Sequence, residues 1–76
     1  MPKKKRVDEL YKVVRTRLLL NCDRWGRIYE KEIKATLGLT YHVPKEVRHL
    51  IIDELILLDY ISILEVRNHE RIFKVN

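Results

Sequence analysis

The spacing of apolar and polar positions divides the chain into helical and extended segments. From Asp8 to about Asn21, apolar residues recur every three or four positions, as in an amphipathic helix that Asp8 can cap. A short extended run follows at 27–29, and helical spacing returns at 30–37 and 44–59. Two runs rich in β-branched residues follow at 60–66 and 71–75. The predicted order is therefore helix, strand, helix, helix, strand, strand.

Glycine and proline mark the limits of the two central helices. Gly38 is expected just beyond the C-terminus of the second helix, where glycine readily takes a positive φ. Pro44 suits the first turn of the third helix, because no hydrogen bond is lost there with its missing N–H. The spacing predicts inward-facing Val47, Leu50, Ile51, Leu55 and Leu58 in the third helix, and outward-facing Lys45, Arg48, His49 and Ile52.

The last two runs are predicted to form a hairpin with Asn68 and His69 at its tip, since asparagine tolerates a positive φ. Pairing Arg67 with Glu70 would place Leu64 opposite Phe73. It would also place Ser62 opposite Val75, on the same face. Trp25, beside the turn at Gly26, is assigned to the core rather than to base stacking.

The first helix has an apolar surface broader than one stripe. Such a helix is either wrapped by its own domain or buried against a second copy of the chain. In so small a protein we expect the second arrangement, a homodimer. The predicted contact residues are Tyr11, Val14, Leu18 and Leu19.

The net charge of +5 comes entirely from residues 1–17, because the nine basic residues beyond them are balanced by nine acidic ones. Residues 1–6 carry no apolar side chain after Met1, so we expect a flexible basic arm preceding a domain at 7–76. Phosphate binding by this arm is the preferred interpretation. The sequence Pro-Lys-Lys-Lys-Arg-Val also resembles a nuclear-import signal, and a solvated terminus without a role stays open. The basic residues concerned are Lys3, Lys4, Lys5 and Arg6.

The composition narrows the class of protein. Hydrophobic residues make up 46% of the 76-residue chain, which is typical of one small folded domain. No apolar run approaches the roughly 18 residues that span a membrane, so we expect a cytoplasmic protein without membrane contact. Cys22 is the only cysteine and is expected as a half-buried thiol, and the histidines are scattered, so no metal site is predicted. We expect no cofactor, no small-molecule ligand and no enzymatic activity, since no nucleophile, base or phosphate-binding glycine loop is recognisable.

Two segments carry a family resemblance. Residues 29–39 (YEKEIKATLGL) are similar to the second helix of winged helix-turn-helix domains, and residues 43–55 (VPKEVRHLIIDEL) resemble their recognition helix. The chain looks most like the small basic transcription regulators of archaea and their viruses. The resemblance implies an α+β fold, a winged helix-turn-helix in the order α-β-α-α-β-β. Two departures are Asp59-Tyr60, where the family usually has glycine, and a longer turn before Pro44.

The resemblance also implies a function, the sequence-selective binding of double-stranded DNA. Arg48 would be the best candidate for a bidentate contact with guanine, and the residues before Pro44 would donate to the DNA backbone. The arm would follow the backbone or enter a minor groove. A protein-interaction module and a binder of RNA or of DNA without sequence preference are the alternatives. The expected contact residues are Thr40, Tyr41, His42, Lys45, Arg48 and His49 around the recognition helix, and Arg67, Asn68, His69 and Arg71 in the wing.

Overall fold

The computed structural model describes the backbone of residues 2–76 and the side chains of residues 9–76. Within this range the chain is an α+β domain with three helices and a three-stranded antiparallel sheet. The predicted order α-β-α-α-β-β is confirmed. The elements are α1 (Pro2–Asn21), β1 (Arg27–Tyr29), α2 (Glu30–Tyr41), a 3₁₀ turn (Lys45–Val47), α3 (Arg48–Leu57), β2 (Ile61–Arg67) and β3 (Glu70–Val75). Among these helices, none has both the length and the apolar content that crossing a membrane requires.

The sheet has the strand order β1-β3-β2, with both pairings antiparallel. The pairing of β1 with β3 places the start of α2 beside the hairpin, because α2 follows β1 directly. The hairpin tip is as predicted, with Asn68 at φ 53° and His69 at φ 65°, and with Arg67 paired to Glu70. Two consecutive positive φ values match the twist of the flanking strands.

The predicted register beyond the tip is wrong by one residue. Ile63, rather than Leu64, lies opposite Phe73, and Ile61, rather than Ser62, lies opposite Val75. The cause is a β-bulge between Ile63 and Glu65, which inserts one extra residue into β2.

The core lies between the three helices and one face of the sheet. α1 contributes Val14 and Leu18, so each of the three helices is anchored by buried aliphatic side chains. The side chains with no exposed surface are Leu18, Ile28, Ile33, Leu37, Ile52, Leu55 and Phe73.

α1 begins at Pro2 rather than at Asp8. Lysine and arginine favour helix, and proline is tolerated in a first turn, so the basic segment can extend the helix. The helix therefore runs without a break across the predicted boundary between an arm at 1–6 and a domain at 7–76. The side chains of Lys3, Lys4, Lys5 and Arg6 lie outside the described residues, and their contact with phosphates stays a prediction.

The predicted end of α2 is also wrong, because the helix continues through Gly38 to Tyr41. His42 takes the left-handed conformation instead, at φ 55°, and Val43 N–H donates to the Leu37 carbonyl over 3.0 Å. Gly38 serves close packing: a Cβ there would overlap the Arg48 guanidinium, with 2.6 Å to Cζ.

The predicted faces of α3 are partly wrong. Ile52 was expected outside but is fully buried, whereas Leu50 was expected inside and is 54% exposed. Leu55 is buried as predicted. The 3₁₀ turn at Lys45–Val47 has three residues per turn, so the helical phase extrapolated from Pro44 does not hold in α3.

Candidate functional site

Arg71, in β3 two residues beyond the hairpin tip, joins the sheet to two helices. Its Nε and Nη2 donate to Oε1 and Oε2 of Glu30, the first residue of α2, over 2.9 and 3.1 Å. Its Nη1 lies 3.8 Å from Oδ1 of Asp53 in α3, and its guanidinium carbon lies 5.2 Å from the centre of the Phe73 ring. A bidentate arginine–carboxylate pair fixes orientation as well as distance. The hairpin is thus tied to both helices by one side chain, which we call the Arg71 bridge.

The bridge shifts the pKa values of both partners. The hydrogen bonds from Arg71 lower the pKa of Glu30 from 4.5 to about 2, against the opposing effect of partial burial. Lys34 adds to this, with Nζ 3.3 Å from Oε2 of Glu30. The same pair raises the pKa of Arg71. Arg71 was predicted to contact DNA; its guanidinium is engaged by Glu30 and Asp53 within the protein, and a contact with DNA stays a prediction.

Arg48 is also engaged within the protein. Its Nε donates to the Val43 carbonyl over 3.0 Å, and its guanidinium lies over Gly38. The side chain is half-buried and holds the turn between α2 and α3. The predicted contact of Arg48 with guanine stays a prediction, and it would require the guanidinium to leave Gly38 and the Val43 carbonyl.

The start of α2 and the hairpin tip enclose a cleft of about 310 Å³. Lys31, Lys34, Asn68 and His69 line it, together with the carboxylates of Glu30 and Glu70. Oε1 of Glu70 is buried and has no hydrogen-bond partner among the described residues. The two lysines were not predicted as site residues. Their outward helical spacing was recognisable, but nothing in the sequence indicated the β1–β3 pairing that brings them to the hairpin.

Three other predicted residues, His49, Lys45 and Arg67, are exposed. His49 precedes Asp53 by one helical turn, so it lies one turn along α3 from the Arg71 bridge. Lys45 is exposed in the preceding 3₁₀ turn. Arg67 pairs with Glu65 of its own strand over 2.9 Å, and both side chains are well exposed. Such surface pairs contribute little free energy, so an anion can displace one.

The three residues predicted before Pro44 differ in their exposure. Thr40 and His42 are exposed, whereas Tyr41 is half-buried with its hydroxyl 3.5 Å from the Val13 carbonyl of α1. Tyr41 therefore packs against α1.

Only some of the residues predicted for the dimer contact on α1 are exposed. Val14 and Leu18 belong to the chain's own core, Tyr11 is half-buried and Leu19 is 43% exposed. A largely apolar groove of about 440 Å³ nevertheless runs between α1, α2 and α3. Its lining residues are Leu10, Tyr11, Val13, Val14, Leu37, Tyr41, Val43 and Ile51.

The assignment of Trp25 to the core is wrong, since the residue is 63% exposed. It sits in a turn whose centre is the Asp23 carboxylate, and the guanidinium groups of Arg24 and Arg27 lie over its ring. Cys22 is half-buried as predicted, with Sγ 3.1 Å from the Leu19 carbonyl.

Side chains 9–76 hold no group of three or more residues suited to binding a metal ion. Comparison with family models, with curated proteins and with solved structures gave no match. The architecture, three helices and a three-stranded antiparallel sheet, is compatible with a winged helix.

Proposed function

We propose that this protein is a winged helix-turn-helix that binds double-stranded DNA sequence-selectively, as a small transcription regulator does. The strongest support is the Arg71 bridge, which holds the hairpin tip in a fixed position against α2 and α3. Exposed cationic and hydrogen-bonding groups from all three elements therefore have fixed relative positions. A rigid arrangement of this kind lowers the entropy cost of binding.

The residues divide into two roles. Lys45 and His49, at the start of the helical segment, would enter the major groove, with His49 at base edges and Lys45 at a phosphate. Asn68, His69 and Arg67 would contact the flanking DNA from the wing. Thr40, His42, Lys31 and Lys34 would bind phosphates, and Lys3 to Arg6 would follow the backbone.

Charge along α3 fixes the direction of insertion. Lys45 and His49 precede the helix centre, whereas Asp53 and Glu54 follow it. Only the N-terminal half can approach a polyanion without repulsion. The positive end of the helix dipole points the same way.

A homodimer through α1 completes this proposal. The exposed apolar side chains Leu10 and Val13 border the groove beside Tyr11, and burial against a second copy would remove them from water. A dimer reads two half-sites with matching symmetry. Selection of bound fragments from random duplex DNA at near-physiological salt would then yield a palindrome.

The cleft offers a pair of variants with opposite expected signs. Lys31→Gln removes a cation and should weaken duplex binding, whereas Glu70→Gln removes an anion from the same cleft and should tighten it. Fluorescence anisotropy over a salt series measures both. Six to eight phosphate contacts predict a slope of log K against log salt of roughly −5 to −7, and each lost contact reduces it by about 1. A slope shallower than about −2, or equal effects of the two variants, would contradict the electrostatic part of the proposal.

A protein-interaction module is the second candidate, favoured by the apolar groove and by the exposure of Leu50 and Leu57 on α3. The two candidates differ in what Lys45→Ala and His49→Ala do. Lost retention on duplex DNA with an intact fold supports DNA binding. Unchanged retention favours the protein-contact role.

A further inference from the structure

A second surface lies at the end of the sheet away from the hairpin tip. Trp25, Arg27, Leu64 and Lys74 line an open recess of about 450 Å³. Arg27 and Lys74 are direct partners in the β1–β3 register, so their side chains project on the same face of the sheet. Leu64 enters from the bulge in β2. Lys74 is four residues from Glu70 along β3, which separates this surface from the hairpin tip by roughly 13 Å.

Trp25 is held firmly despite its exposure. The Asp23 carboxylate accepts hydrogen bonds from the N–H groups of Trp25 and Arg27, each over 2.9 Å. Gly26 takes a φ of 79°, and its carbonyl accepts from Val75 N–H over 2.8 Å, which fastens the turn to β3. The backbone that carries this exposed aromatic side chain is therefore firmly anchored.

The cations around the Trp25 ring indicate which kind of ligand this surface can bind. The guanidinium carbons of Arg24 and Arg27 lie 5.2 and 4.9 Å from the ring centre, and Lys74 lies in the same recess. Asp23 neutralises only part of this charge, through Arg27 at 3.1 Å. An apolar protein surface would leave these cations unpaired on burial, which is costly. A ligand that is both planar and anionic satisfies the ring and the cations together.

We propose that this surface binds single-stranded nucleic acid: an unpaired base takes the place of one of the two guanidinium groups that lie over the Trp25 ring, and the displaced arginine and Lys74 bind the neighbouring phosphates. Aromatic side chains beside a cationic track are the usual means of binding single strands without sequence preference. Duplex DNA does not fit, because its bases are already stacked on one another. The surface is therefore distinct from the helix–wing side proposed to bind duplex DNA.

Trp25 is the only tryptophan in the chain, so intrinsic fluorescence reports on this surface directly. Titration with an oligothymidylate of about ten nucleotides at low salt should quench the emission and give a saturable isotherm. An abasic oligonucleotide of the same length keeps the phosphates and lacks the bases. It should bind roughly 5- to 150-fold more weakly and quench little, which is the range expected for losing a stacked base.

Variants separate this proposal from duplex binding. Trp25→Leu should lower single-strand affinity by a similar factor, measured by anisotropy of a labelled oligonucleotide, and Trp25→Phe should fall between it and the wild type. Lys45→Ala should leave single-strand affinity unchanged, even where it abolishes duplex binding. Absence of quenching by the oligothymidylate, or equal affinity for the abasic strand, would overturn the proposal. Because both tests use the unaltered protein, neither depends on the variants folding.

Discussion

The two strands of the hairpin use arginine in opposite ways. On β3, Arg71 is 27% exposed and is bound by carboxylates from two helices. On β2, Arg67 is 62% exposed, and among the described residues it is paired with Glu65 of its own strand. Both were expected to contact DNA, since sequence alone shows two arginines flanking the same turn. The structure separates a side chain that sets the position of the hairpin from one that can reach a ligand.

This difference indicates how the domain presents charge. Cations near the junction of the elements are engaged in hydrogen bonds within the protein, as Arg71 and Arg48 are. The cations left for a polyanion stand at the ends of elements, as Lys45 and Arg67 do. Substitution of an engaged cation such as Arg71 should therefore cost stability, whereas substitution of an exposed one such as Arg67 should cost affinity.

Replacing Arg71 should have the largest effect on folding. Arg71→Met preserves volume but leaves Glu30, whose side chain is 15% exposed, without its main partner. Loss of one member of a buried pair costs about 3–5 kcal/mol, and the partial exposure here places the expectation near 3 kcal/mol. Urea unfolding followed by circular dichroism measures the change.

The matched control is Arg67→Met on β2, expected to change the free energy of unfolding by under about 0.5 kcal/mol, because exposed ion pairs contribute little. If the two substitutions cost the same, the assignment of Arg71 as the positioning residue is wrong.

The pH dependence of stability should report the same bridge. The pKa of Glu30 is lowered from 4.5 to about 2 by Arg71, so the ionised carboxylate stabilises the folded state. This contribution is complete above the unfolded value and is lost as the pH falls from about 4.5 toward 2. We expect Glu30→Gln to remove roughly 2 kcal/mol of stability at neutral pH, and to flatten the acid limb of the profile.

Unfolding free energies at several pH values between neutrality and pH 2 test this expectation. An acid limb that keeps its wild-type steepness in Glu30→Gln would show that other groups dominate. Glu65→Gln is the matched exposed carboxylate on β2, and its effect at neutral pH should stay under about 0.5 kcal/mol.

Sequence reasoning succeeded where the determinants are local. The positive φ values at Asn68 and His69 depend on the turn itself, and the tip was predicted correctly. The bulge at Leu64 depends on how β2 fits across β3, which no local pattern records. In α3 the run LIIDELILL is apolar on nearly every side, so its spacing could not decide which of Leu50 and Ile52 is buried.

The same limit applies to the candidate site. The exposed cations at the hairpin tip and the start of α3 were predictable from turn and helix positions. The partner of Arg71 was not, because Glu30 lies 41 residues away along the chain. Trp25 was misplaced because tryptophan is usually buried, whereas the Asp23 turn projects it outward.

The smallest expected effect concerns Gly38 and Arg48, where a cation is again engaged within the protein. Gly38→Ala should gain about 0.5–1 kcal/mol from helix propensity, but the new methyl group would displace the Arg48 guanidinium. Displacement breaks the 3.0 Å hydrogen bond to Val43, which is worth about 1 kcal/mol, so the single substitution should be close to neutral.

A double-mutant cycle isolates this coupling. In an Arg48→Ala background the methyl group meets no guanidinium, so Gly38→Ala should stabilise the protein by the full 0.5–1 kcal/mol or so. Chemical unfolding of the four variants gives the coupling energy, expected near 1 kcal/mol. Additive effects would mean that Arg48 moves away at no cost. The Arg48 side chain would then be available to a ligand. The contrast between internally engaged and exposed cations would in that case hold for the hairpin but not for α3.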